Sequence, residues 1–329
     1  MNESEMQYRQ DKHGDRLSIL GFGCMRFLKK GNNIDLEEAE REIMEAYNAG
    51  VNYFDTAYVY SGSEAAIGEI FEKNGIRDKI NIATKLPQYL VSNNAALDRY
   101  FNEELSRLRT DHVDYYLMHH LTDVAMWEKL KDVGVLDWIK EKKASGQIRN
   151  IGFSYHGTTD GFLKILNDYD WDMCQIQYNF MDINNQAGTK GLELAGSKGI
   201  PVVIMEGLLG GRLANAPDNV QALYDAFPVK RSPVEWAFRW LCNHPEVAVV
   251  LSGCNEAEQI DENLRIFDTV DTGIMSAEEL KLMDDIRAAY ISRTKIGCTG
   301  CRYCMPCPNG DQAPSSHRAG KERRPGFRK

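Results

Sequence analysis

Asp55, Lys85 and His119 each close a short apolar run, and Tyr60 follows Asp55 by five positions in a polar loop. Groups that give, take or hold protons, repeated at the ends of successive elements, are the materials of general acid–base chemistry. Singly, each has an ordinary explanation: a strand-end Asp often caps a turn, a lone Lys is usually solvated, and a His can sit satisfied in a core. Their recurrence on adjoining strand ends sets them apart. A second set is Cys298, Cys301, Cys304 and Cys307, followed by Pro308. Thiolates two residues apart can wrap a cubane iron–sulfur cluster. The alternatives are zinc, which usually draws on two separated cysteine pairs, and free thiols. Cys24, Cys174, Cys242 and Cys254 are scattered and read as small buried hydrophobes.

The elements that must position these residues alternate between two periodicities. Leu17–Gly23, Val51–Thr56, Ile80–Lys85, Val113–His119, Ile148–Ser154, Met173–Tyr178, Pro201–Met205 and Val247–Ser252 are short, nearly continuous apolar runs bounded by Gly, Pro or polar residues. That is the pattern of strands buried on both faces. Between them lie helical stripes. Asp35 with Glu38 predicts a capped start for Leu36, Ala39, Ile43 and Ala46, closed by Gly50. Leu97, Phe101, Leu105 and Leu108 form another stripe. Asn255 with Glu258 predicts a cap ahead of Ala257, Ile260, Leu264 and Phe267, and Ser276 with Glu279 opens a last helix through about Tyr290. Eight strand–helix units predict an α/β fold, a closed (β/α)8 TIM barrel, with chemistry at the C-terminal strand ends. An open dinucleotide-binding sheet is the rival, since Gly21 and Gly23 follow the first strand. There, however, the third glycine of the fingerprint would fall at Arg26, and no helix starts at once to face a pyrophosphate.

Composition bounds the function. The chain has 329 residues, 43% hydrophobic and 26% charged, with a net charge of −9. These are globular values, and the acidic balance argues against a nucleic-acid partner. No apolar stretch approaches the ~18 residues needed to span a bilayer, so no membrane partner is expected, and MNESEMQYRQ does not have the form of a signal peptide. A cytoplasmic protein with reduced cysteines is expected. The expected organisation is a barrel over 1–295, a cysteine motif over 296–310, and a disordered tail over 311–329, where six Lys/Arg face two Asp/Glu.

DTAYVYSGSE, ATK, DYYLMHH, IGFS, QIQYN and the LSG…DENL segment, in that order at those strand ends, resemble the aldo-keto reductase superfamily over residues 8–290. The resemblance implies reduction of a small-molecule carbonyl substrate by NADP(H) or NAD(H), with Asp55, Tyr60, Lys85 and His119 as a catalytic tetrad. Hydride transfer leaves charge on oxygen that an acid must neutralise. Tyr60 would be that acid, Lys85 would lower its pKa, Asp55 would hold Lys85, and His119, not the adjacent His120, would orient the carbonyl. The resemblance also assigns Gly23, Cys24, Met25 and Asp55 to the cofactor's path, and Ser154 and Gln175 to the nicotinamide carboxamide. Met205 falls where many members stack a Tyr, and Tyr155 where many have Asn. Gly210, Gly211 and Arg212 would hold pyrophosphate, and Glu262 and Asn263 would touch adenine. Ser252, Gly253 and Gln259 stand where NADPH-preferring members carry Lys and Arg, so NADPH preference is expected to be weak.

CTGCRYCMPCP in turn resembles the start of the ferredoxin-type module that follows the barrel in one branch of this superfamily. This implies a [4Fe-4S] cluster on Cys298, Cys301, Cys304 and Cys307. With no second cysteine run following, incomplete occupancy is expected. Two other roles compete with carbonyl reduction. One is a cofactor-sensing regulatory barrel; the other is an iron–sulfur electron-transfer protein that serves a redox carrier.

Overall fold

The computed structural model describes residues 6–293. In chain order the elements are β1 (Tyr8–Gln10), β2 (Arg16–Ser18), β3 (Leu20–Gly23), β4 (Lys29–Lys30), β5 (Asn33–Ile34), α1 (Leu36–Asn48), β6 (Tyr53–Asp55) and α2 (Ser63–Asn74). They continue through β7 (Asn81–Leu86), α3 (Asn94–Leu108), β8 (Val113–Leu121), α4 (Val124–Asp132), α5 (Val135–Ala144), β9 (Ile148–Tyr155), α6 (Thr159–Asp168) and β10 (Met173–Gln177). The rest are α7 (Gly188–Ser197), β11 (Val202–Met205), α8 (Asp218–Ala226), α9 (Pro233–Cys242), β12 (Val247–Ser252), α10 (Ala257–Phe267) and α11 (Ala277–Ser292). Strands β3 and β6 to β12 pair in parallel and close into an eight-stranded barrel. The fold is the (β/α)8 barrel that the alternating periodicities predict. The expected cysteine motif and tail, 296–329, lie outside the described residues.

The first expected strand, Leu17–Gly23, is two. It breaks at Ile19, because β2 leaves the barrel to pair antiparallel with β1 while β3 pairs with β12 and β6. The loop of the β1–β2 hairpin brings Asp11 to the barrel strands, where Tyr115 Oη donates to its Oδ2 at 2.7 Å. A second small hairpin, β4–β5, precedes α1.

Capping decides where the helices begin. Asp35 accepts the Glu38 N–H, and Ser276 with Glu279 forms a full capping box on α11. Asn255 is not the cap expected for α10. Glu256 takes that place without a side-chain bond, and Asn255 Nδ2 donates instead to the Arg26 carbonyl at 3.0 Å.

Leu17 of β2 and Tyr53, Ala83, Tyr115, Leu117, Met173, Val203 and Val249 of the barrel strands belong to one buried cluster. Gly21 faces it, and a Cβ there would lie 2.5 Å from Val249 Cγ1. Close packing leaves no room for a side chain at that position. Two compact units are distinguished. One holds every barrel strand with α1 to α7, α9 and α10. The other holds α8 and α11, and within it Arg231 pairs with Glu279. No helix among the described residues is long and apolar enough to cross a membrane.

Candidate active site

A period of two along each strand lifts the polar residues off the core. Tyr53, Ala83, Leu117, Met173 and Val203 belong to the core cluster. Two positions further along the same strands stand Asp55, Lys85, His119, Gln175 and Met205, one layer nearer the C-terminal mouth. Lys85, only 1% exposed, donates from Nζ to Asp55 Oδ1 and to the Thr56 carbonyl, each at 2.6 Å. Burial pushes its pKa down, but Asp55 and Tyr60 outweigh this and keep the ammonium charged.

Tyr60 comes from the loop between β6 and α2. Its ring centroid lies 5.3 Å from Lys85 Nζ and 6.0 Å, edge-on, from the His119 ring. The four residues singled out from sequence therefore form one cluster. Lys85 acts on Tyr60 in the direction expected from sequence, but the net position of the phenol does not follow it. Lys85 draws the Tyr60 phenol down, the largest single influence, yet burial with the negative charge of Asp55 holds it above the ordinary tyrosine value. His119 is pushed down to about 3 by burial, then by Lys85, His120 and His156, so its ring is neutral. Its Nδ1 is buried with no hydrogen-bond partner among the described residues.

Strand β8 runs past its expected end at His119 to Leu121, with a register shift against β9. His120 sits in that shift at φ 55°, a left-handed conformation unusual for a non-glycine residue. Its N–H donates to Ser154 Oγ at 2.8 Å, and its ring centroid stands 4.5 Å from that of His156. Ser154 thus accepts one bond and keeps its own proton. Gln175 Oε1 is buried with no partner among the described residues, while Nε2 approaches Met205 Sδ at 3.9 Å. Tyr155 is committed elsewhere: its hydroxyl donates to the Thr158 carbonyl at 2.7 Å and its ring packs against Phe162.

A cavity of about 270 Å³ is lined by Gly210, Gly211, Ser252, Gly253 and Gln259. Leu209, Gly210 and Gly211 all have positive φ, so the loop turns tightly, at little cost for the two glycines. Arg212 does not line the cavity, and its Nε donates to the Leu209 carbonyl. Glu262 accepts from Ser232 Oγ at 2.7 Å, and Asn263 donates to Ser252 Oγ at 2.9 Å. Cys24 is buried and kept as a thiol, whereas Met25 is 59% exposed.

Sequence reasoning does not single out three residues found here. Arg26 lines the cavity, its Cδ 3.4 Å from where a Cβ on Gly253 would lie. Its one sequence signal is a basic residue directly after Gly23, Cys24 and Met25. Ser63 lies within the DTAYVYSGSE stretch, yet nothing there discloses its bond to Thr56, and His156 carries no signal, because both depend on what folds against them. Cys298, Cys301, Cys304 and Cys307 lie outside the described residues.

A closed parallel barrel with a buried acid–base cluster at its C-terminal mouth has the architecture of a barrel enzyme. The chain belongs to the aldo/keto reductase family, whose model matches residues 19–287, and is an oxidoreductase of that family. An aldo-keto reductase of Mycobacterium avium is 28% identical, over 86% of this chain and 92% of its own. The holo form of an aldo-keto reductase from Bacillus halodurans matches with a TM-score of 0.72 at 25% identity, over 86% of this chain and 96% of that one. An aldo/keto reductase from Klebsiella pneumoniae in complex with NADP and acetate shares the fold, with a TM-score of 0.69 at 20% identity over 86% and 95% of the two chains.

Proposed function

We propose that the protein reduces an aldehyde or ketone to the alcohol with NADPH or NADH, Tyr60 giving the proton. The convergence of Tyr60, buried Lys85 and neutral His119 at one mouth carries this reading. A bound reduced nicotinamide supplies the hydride to the carbonyl carbon. Tyr60 Oη donates its proton to the carbonyl oxygen as charge develops there. The phenolate left behind is favoured by the Lys85 ammonium until water restores the proton. His119, being neutral, donates one hydrogen bond that orients the same oxygen.

The residues present suit such a cofactor. A carboxamide offers a donor and an acceptor, which match the buried Gln175 Oε1 and the unspent proton of Ser154. Gly210, Gly211, Ser252 and Gln259 would hold the phosphates and ribose, and Arg26 would supply positive charge beside them. The Klebsiella complex with NADP, on the same fold, supports a dinucleotide as ligand. The purified protein should oxidise NADPH or NADH when given members of a panel of aldehydes and ketones. Tyr60→Phe should lower kcat by ~10²-fold or more, the scale of a lost general acid, with cofactor affinity nearly intact. Wild-type turnover in Tyr60→Phe would assign the proton to another group.

For the cysteine run we infer a [4Fe-4S] cluster on Cys298, Cys301, Cys304 and Cys307, exchanging electrons with an external carrier in the cytoplasm, where thiols stay reduced. Four thiolates at two-residue spacing support it. Anaerobically purified protein should contain iron and sulfide, and Cys301→Ser with Cys304→Ser should remove both without moving the barrel's Tm. Iron and sulfide that survive the double substitution would refute the assignment.

A further inference from the structure

Thr56 and Ser63 bring two buried hydroxyls to the back of the site, 0% and 2% exposed, with 2.8 Å between their oxygens. Ser63 Oγ also donates to the Cys24 carbonyl at 2.7 Å. Since that bond spends the only proton Ser63 Oγ has, the proton between the hydroxyls belongs to Thr56. The direction is thereby fixed: Thr56 Oγ1 donates to Ser63 Oγ, and Ser63 Oγ donates to Cys24.

Both ends of this short chain are tied to the chemistry. The Thr56 carbonyl is one of the two acceptors that hold Lys85 Nζ. Cys24 is held from its other side as well, its N–H donating to the Asp55 carbonyl at 2.8 Å. The Ser63 N–H donates to the Tyr60 carbonyl at 2.9 Å, closing the loop that carries the phenol. One residue therefore touches, by hydrogen bond, the loop of the acid, the neighbour of Asp55 that anchors the lysine, and the wall next to exposed Met25. Tyr60 meets Lys85 through its ring face, 5.3 Å from centroid to Nζ, so their separation depends on the backbone that Ser63 ties together.

We propose that Ser63 is a positioning residue for carbonyl reduction, its hydroxyl tying the Thr56–Lys85 anchor to the Cys24 backbone while its N–H holds the Tyr60 loop against both. The proposal rests on the reading of Tyr60 as the acid. Ser63→Ala should lower kcat about tenfold, the scale of one buried hydrogen bond lost, with KM changed far less. With Lys85 held less firmly, Tyr60 should titrate at higher pH, read from the ultraviolet difference spectrum of each variant with and without Tyr60→Phe. That readout needs no turnover, so it separates failure of this proposal from failure of the reductase reading. Ser63→Thr keeps the hydroxyl and should restore both values. Thr56→Val, which keeps the carbonyl that holds Lys85, carries the same test if Ser63→Ala does not fold. Wild-type kcat and Tyr60 titration in folded Ser63→Ala or Thr56→Val would overturn the proposal, as would a Ser63→Thr variant as impaired as the alanine.

Discussion

Lys85 is an ammonium at 1% exposure, and burial on that scale is tolerated only because Asp55 and the Thr56 carbonyl each accept from it at 2.6 Å. Its influence on Tyr60 is the strongest single one and points downward, although the net position of the phenol is above the ordinary value. An acid must be protonated to work, so reduction should fail as pH rises through the Tyr60 pKa. Removing Lys85 raises that pKa further. Lys85→Met should therefore move the alkaline limb of the kcat profile to higher pH while lowering kcat by ~10²-fold, because the phenolate product loses its counter-charge. A limb that stays in place would show that Lys85 does not tune Tyr60. His119, pushed down to about 3 from its ordinary 6.5, stays neutral through the working range and contributes no inflection near the ordinary value to the wild-type profile.

The elements are legible wherever one periodicity runs long enough to be read. Eight apolar runs become eight barrel strands, because a strand buried on both faces must be apolar at nearly every position. Asp55, Lys85 and His119 stand out for the same reason, as polar residues two places beyond a core position. What sequence does not disclose is short or set by contacts distant along the chain. Strands β1, β2, β4 and β5 have two or three residues each, too few to carry a period. The break at Ile19 follows from pairing with a hairpin partner, which Leu17–Gly23 does not encode. Asn255 has the right type and spacing for a cap, but its amide donates to Arg26, 229 positions away. The left-handed turn at His120 likewise follows from the register of β8 against β9 and the hydroxyl of Ser154. Thr56 lies inside a recognisable motif, yet its link to Ser63 is visible only once α2 has its place.

Across the whole barrel, the cavity joins residues that are far apart in the chain: Arg26 after β3, Gly210 after β11, and Gly253 after β12. A dinucleotide is anionic, and so is this protein, with a net charge of −9, so binding depends on where positive charge is concentrated locally. Reading Ser252, Gly253 and Gln259 alone leaves the phosphate region without a fixed cation. The folded chain brings one in from the opposite end of the sequence, with Arg26 Nη2 4.0 Å from where a Cβ on Gly210 would lie. Gly210 belongs to the loop proposed for the pyrophosphate, the part that NADPH and NADH share. If Arg26 serves that part, it strengthens both cofactors and gives little preference between them. Kd values for NADPH and NADH should then lie within ~30-fold of each other, and Arg26→Met should weaken both by about tenfold or more, the range of a lost charge-assisted bond. Added salt should weaken the wild type more steeply than the variant, since the variant has one fewer cation to screen. Fluorescence titration with each cofactor separates the outcomes. Equal loss assigns Arg26 to the shared phosphates, whereas loss confined to NADPH would move it to the 2′-phosphate and restore the selectivity that uncharged Ser252, Gly253 and Gln259 do not provide.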